Sequence, residues 1–165
     1  MALFFFLWIV IGKIFADNKF KGGFTMASYG PIIIIEDDID DEDILKEVLA
    51  ELEMKNKIIC FETCAPAWTY LKTTHDRPFI IFCDINLPQQ SGLSFKKQID
   101  EDRQLRQKSI PFVFYTTSIN QNDIDDAYSK MTVQGFFQKP SNFKEIKKTI
   151  KIILDYWRIC KHPNE

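Results

Sequence analysis

From Met26 onward, short apolar runs alternate with stretches in which apolar residues return every three or four positions. Ile32–Ile35 is apolar throughout, as expected of a central parallel strand covered on both faces. Ile44, Leu45, Val48, Leu49 and Leu52 then recur at helical spacing, with acids and Lys46 between them. Residues 57–61 predict a second strand, and residues 65–74 a helix turning Ala67, Trp68 and Leu71 inward. Residues 79–84 form a third apolar run that ends on an acid. Pro88 and Gly92 signal a turn, and a third helix starts over residues 93–99. Residues 111–116 predict a fourth strand. Residues 120–131 predict a helix with Ile124, Ala127, Tyr128 and Met131 on one side. Gly135–Gln138 is a short fifth strand, and Phe143, Ile146, Ile150, Ile153 and Trp157 mark a strong final helix. This alternation predicts an α/β fold, a doubly wound (βα)5 parallel sheet, over residues 26–165.

Residues 1–25 do not share the pattern. Their apolar run, Ala2 to Ile11, is half of the ~20 residues a spanning helix needs. No Lys or Arg precedes it and no small-residue cleavage site follows, as a signal peptide would require. Residues 1–25 read as an apolar extension, either upstream of a true start at Met26 or as a short anchor, with the first preferred. A membrane location is not expected.

The 165-residue chain is long enough to bury a core without disulfides or metal. Its net charge of −2, without a basic run, argues against nucleic acid as a partner. Cys60, Cys64, Cys83 and Cys160 include no C-x-x-C pair. With only His75 and His162 beside them, zinc spacing is missing. A reducing, cytoplasmic setting fits this cysteine usage.

Charge changes the picture at the strand ends. Behind the four isoleucines, residues 36–43 carry seven acids in eight positions. Ligands of open parallel sheets bind beyond the carboxyl ends of the strands. There the first strand leaves Glu36, Asp37 and Asp38, the third Asp84 and Asn86, the fourth Thr116, Thr117 and Ser118, and the fifth Lys139 and Pro140. Two carboxylates ~4 Å apart repel by about 4 kcal/mol near a protein surface, so such a cluster asks for a hard divalent cation and an opposing lysine. Carboxylate nucleophile, cation, ammonium and hydroxyl together predict phosphoryl transfer. The other acids, Asp38, Asp40, Asp41, Glu42 and Asp43, read as first-turn residues that complement a helix dipole and keep that face solvated. An EF-hand is excluded, because Asp43 and Leu49 stand where its glycine and last glutamate belong.

"IIIIEDD", "FIIFCDINLPQQSG", "PFVFYTTS" and "GFFQKP", in this order, resemble the receiver domain of two-component response regulators. The resemblance spans about residues 31–160. It implies a flavodoxin-like strand order 2-1-3-4-5 and a single-domain regulator. By position it implies that Glu36 and Asp37 hold Mg²⁺ with Asp84 and the backbone carbonyl of Asn86. Asp84 is the implied phosphoacceptor, Thr116 the hydroxyl that grips the phosphoryl group, Lys139 its ion partner and Phe136 the switch aromatic. The Lys139–Pro140 bond is cis in most relatives. Thr117 replaces the usual small residue, and Gln90-Ser91 the frequent Met-Asp.

The implied partners are a sensor histidine kinase or phosphotransfer protein and a downstream protein target. The surface of the fourth helix, fifth strand and final helix would carry the signal and serve any homodimer. The protein would then not be an enzyme beyond its own phosphorylation and dephosphorylation. Two other readings stand beside it. One is a phosphatase of the haloacid-dehalogenase type, although Asn86 occupies the place of its second aspartate. The other is a receiver fold that docks without phosphorylation.

Overall fold

A computed structural model describes residues 30–161. The extension expected over residues 1–25 lies outside that range. Strands β1 (Ile32–Ile35), β2 (Ile58–Phe61), β3 (Ile80–Cys83), β4 (Phe112–Thr116) and β5 (Gly135–Gln138) form one parallel sheet in the order β2-β1-β3-β4-β5. Among the described residues, six helices cover it: α1 (Ile39–Glu51), α2 (Cys64–Thr73), α3 (Gly92–Glu101), α4 (Arg103–Lys108), α5 (Gln121–Lys130) and α6 (Phe143–Ile159). The doubly wound α/β architecture is the one the alternation predicts.

Strand alternation sorts the apolar residues into two layers. Ile33, Ile35, Ile81, Cys83, Phe112 and Phe114 pack against α2, α3, α4 and α5 through Leu71, Phe95, Leu105 and Ala127. Ile32, Ile34, Ile80, Phe82, Val113 and Tyr115 pack against α1 and α6 through Val48, Leu49, Ile150 and Leu154. Each isoleucine of β1 is at most 2% exposed, so this strand is closed on both faces. Phe136 and Phe137 divide between the same two layers, and both are half-buried.

The structure corrects the expected element count. Helix α4 is an addition, because six residues with one buried side chain, Leu105, carry no readable period. Asp102 both ends α3 and opens α4, where its carboxylate accepts the Leu105 N–H at 2.9 Å. Tyr128 does not turn inward with Ala127. It is 58% exposed, because its hydroxyl accepts the Phe136 N–H at 3.1 Å and holds the ring over the sheet edge. Helix α1 begins at Ile39, where the Asp38 carboxylate caps the Asp40 N–H at 2.9 Å and the Asp41 N–H at 3.4 Å.

Candidate functional site

Sheet register assembles the site. Ile35 pairs with Cys83, Cys83 with Phe114, and Thr116 with Gln138. Glu36 and Asp84 therefore step off adjacent strands together, and Lys139 stands directly beyond Thr116. The Asp84 N–H donates to the Ile35 carbonyl at 2.9 Å, and the Lys139 N–H to the Thr116 carbonyl at 2.8 Å. All four side chains lie at the carboxyl edge of the sheet, beside the reversal of strand order between β1 and β3.

Lys139 is the hub. Its side chain is 6% exposed, and its Nζ lies 2.5 Å from Glu36 Oε2, 2.8 Å from Asp41 Oδ2 and 2.9 Å from Asp84 Oδ2. Burial alone would lower the lysine pKa, but its hydrogen bonds to Asp41, Glu36 and Asp84 outweigh it and hold the ammonium charged. One ammonium does not satisfy three carboxylates. Burial, reinforced by the nearby charge of Asp84, pushes Glu36 up to about 7 against the pull of Lys139. At Asp84 burial acts upward too, yet the Thr116 hydroxyl, Lys139 and the Asn86 N–H hold the carboxyl below its ordinary value. Asp84 Oδ1 accepts the N–H groups of Ile85 and Asn86, at 2.5 and 3.1 Å. Its other oxygen, Oδ2, takes the Lys139 ammonium.

Of the residues singled out in the sequence, Glu36, Asp84, Thr116 and Lys139 come together. Asp37 is exposed and lines a cleft of about 590 Å³ with Asn86, Leu87, Ser91 and Asp123. Asn86 is exposed, with its N–H on Asp84. Phe136 sits apart from the cluster, its ring 5.7 Å from that of Phe114. The Lys139–Pro140 bond is trans, contrary to the expectation, as no described peptide bond is cis. Trans is the lower-energy form before proline by ~0.5–1 kcal/mol.

Two acids expected to be solvated are not. Asp41 reaches Lys139, and Glu42 is 8% exposed and pairs with Lys46 at 2.5 Å. Asp41, the third residue after the Asp38 cap, lies on the first turn above the strand ends, but spacing does not separate it from a solvated acid. Tyr115 carried no sequence signal. Its hydroxyl is buried without a hydrogen-bond partner among the described residues, at a 290 Å³ cavity shared with Asp41, Thr117 and Lys139.

The donor set suits a hard divalent cation: it is all oxygen, and its negative charge exceeds what Lys139 supplies. As they stand, no three acid, imidazole or thiol groups among the described residues converge to hold a metal. The ammonium lies among Glu36, Asp41 and Asp84 instead.

Known proteins share this fold. The chain matches the response regulator receiver domain over residues 32–151. It is 28% identical over 131 residues to the response regulator Rcp1 of Synechocystis sp., across 76% of this chain and 87% of Rcp1. The crystal structure of the phosphorylated cyanobacterial phytochrome response regulator RcpA superposes with a TM-score of 0.71 at 28% identity, covering 78% of this chain and 94% of that one. The Mn²⁺-bound form of Rcp1 superposes with a TM-score of 0.70 at 26% identity, covering 80% and 96%. Among the described residues, no helix is long and apolar enough to cross a membrane. With acids, hydroxyl and lysine at consecutive strand ends of a 2-1-3-4-5 sheet, and the family match across that whole sheet, the chain belongs to the response-regulator receiver domains of two-component signalling.

Proposed function

We propose that Asp84 accepts a phosphoryl group from the phosphohistidine of a sensor histidine kinase or phosphotransfer protein, with Mg²⁺. The observation that carries this reading is the convergence of Asp84, Thr116 and Lys139 on a buried acid cluster at neighbouring strand ends. Asp84 Oδ1 is tied to two backbone N–H groups, whereas Oδ2 is held by a side chain that can follow the charge. Oδ2 is therefore the oxygen that attacks phosphorus. The P–N bond breaks, and the imidazole nitrogen keeps the electron pair. Hydrogen bonds that hold Asp84 ionised keep its lone pair available at neutral pH.

As the new bond forms, the Lys139 ammonium moves from carboxylate to phosphoryl oxygen, and the Thr116 hydroxyl donates to another. Glu36, Asp37 and Asp84, with the Asn86 carbonyl, would hold Mg²⁺, which neutralises charge on the phosphoryl oxygens when bound. The reported Mn²⁺-bound form of Rcp1 and the phosphorylated form of RcpA support this reading. Water later attacks phosphorus, the bond to Asp84 breaks, and phosphate leaves.

Release of Lys139 from Asp84 frees the end of β5, and with it Phe136, to take a second arrangement. The output is then a contact of α5, β5 and α6 with a downstream protein, or with a second copy, within the cytoplasm. Residues 26–165 form the receiver unit in this reading, and nucleic acid has no part in it. The phosphatase alternative is not favoured, because Asn86 cannot supply the proton that such an enzyme delivers to its leaving group.

Intact mass after incubation with acetyl phosphate tests the proposal. One phosphoryl group should add with Mg²⁺, little without it, and none to Asp84→Asn. Full labelling of that variant would refute the assignment of Asp84.

A further inference from the structure

A second set of charges, with Lys96 buried, lies at the opposite end of the sheet. A cavity of about 220 Å³ is walled by Leu71, Ile81, Leu105 and Phe112, the last being the first residue of β4. Lys96 reaches it from α3 and is 3% exposed. Its ammonium donates to Asp100 Oδ1 at 2.6 Å and to Thr132 Oγ1 at 2.9 Å, and stands 5.3 Å from the centre of the Phe112 ring.

Asp100 is fully engaged. Its Oδ1 also accepts the Thr132 hydroxyl at 2.5 Å, and its Oδ2 accepts the Thr132 N–H at 2.9 Å. One carboxylate thus answers one ammonium. Arg106 is the remaining charge on this cavity, and it forms no ion pair among the described residues. Burial lowers the Lys96 pKa, Asp100 opposes this, and Arg106 depresses it further, so the two cations sense each other. Gln134 uses its Oε1 on the Phe112 N–H at 2.6 Å, and its amide nitrogen remains a donor at the same wall.

A chamber with one apolar wall, one polar wall and one cation in excess suits an anion that brings its own apolar body. A bare inorganic anion would leave the Leu71, Ile81 and Leu105 walls unfilled. A neutral apolar molecule would leave the repulsion between Lys96 and Arg106 unanswered. An apolar cavity of about 150 Å³ takes up benzene, so this volume leaves room for a ring and a carboxylate. A desolvated carboxylate needs paired charge, and Arg106 can grip one through two N–H groups.

We infer that this cavity binds a small organic monocarboxylate of about the size of benzoate, its ring among Leu71, Ile81 and Leu105 and its carboxylate between Lys96 and Arg106. This site is separate from the acid cluster at Asp84 and does not depend on phosphorylation.

Benzoate titrated into the full chain, followed by amide NMR, tests the inference, with benzamide as the neutral isostere. Saturable shifts should centre on Thr132 and Gln134, benzamide should bind more weakly, and Asp84→Asn should bind benzoate unchanged. Arg106→Gln should weaken binding about tenfold, the loss of a charge-assisted hydrogen bond. Lys96→Met should abolish it; should that variant misfold, the exposed Arg106 decides the matter alone. Absence of saturable shifts, equal binding of benzamide, indifference to Arg106→Gln, or loss of binding in Asp84→Asn would each overturn the site. In those cases the lysine, aspartate and threonine only clamp α3 to the segment before β5.

Discussion

In the unfolded chain Glu36 ionises near its ordinary value of 4.5, whereas in the metal-free fold burial and Asp84 hold its proton until about 7. Between those values the native state binds more protons than the unfolded one. Stability therefore falls as pH rises through that window and levels off above it. Denaturant unfolding in EDTA should show wild type losing about 2 kcal/mol between about pH 5 and 8. Glu36→Gln should lack that loss, and a flat wild-type profile would contradict the account. Mg²⁺ should offset that loss in wild type and leave Glu36→Gln nearly unmoved, because the variant lacks one of the proposed ligands. Asp84 has the opposite sign. Its lowered pKa contributes stability that is present above the ordinary 3.8 and lost as pH falls through the folded value. The two acids are adjacent and share Lys139, yet Asp84 also has the Thr116 hydroxyl and the Asn86 N–H.

At the scale of elements, the turn from β3 into α3 has little room. A Cβ on Gly92 would stand 2.1 Å from the backbone oxygen of Asp84 and 3.1 Å from Cys83 Sγ. A carbonyl fixed at a strand end cannot retreat as a flexible side chain would. Gly92→Ala should destabilise the fold by about 1–3 kcal/mol, the usual cost of overpacking. Because the displaced carbonyl belongs to Asp84 itself, acetyl phosphate labelling should slow as well. Unfolding curves and intact mass on the same variant check both effects; normal labelling with lost stability would separate the turn from the chemistry. The cap of α1 is a local matter by contrast. Asp38→Ala should cost about 1 kcal/mol of stability, read from its unfolding midpoint, and should spare the sheet.

Across the molecule, burial is uneven. β1 and β3 are closed on both faces, whereas α5 buries only Ala127 and β5 is an edge strand. Hydrogen exchange should therefore be slowest in β1 and β3 and fastest in α5, with β5 between; uniform protection would contradict this. That gradient puts the softest element beside Phe136 and Lys139, where the proposed signal emerges. Much of this was legible in the chain. Ile32–Ile35 announces a buried parallel strand, because a strand covered on both faces hides four consecutive β-branched residues. Glu36, Asp84, Thr116 and Lys139 are legible because a parallel sheet gathers the residues at the carboxyl ends of its strands along one edge. Helix α4, the outward turn of Tyr128 and the part played by Asp41 were not. A six-residue helix has no period, a tyrosine is apolar or polar according to what meets its hydroxyl, and an acid on a first turn looks solvated until a lysine 98 positions away reaches it. The buried contacts of Lys96 and the cavity beside it belong to the same class. The order of the strands along the chain and the residue types at their ends were readable from the amino-acid sequence, because both arise from local patterns. Which charges meet and which stay unpaired emerged with the packed fold, because those pairings depend on distances between segments that no local pattern encodes.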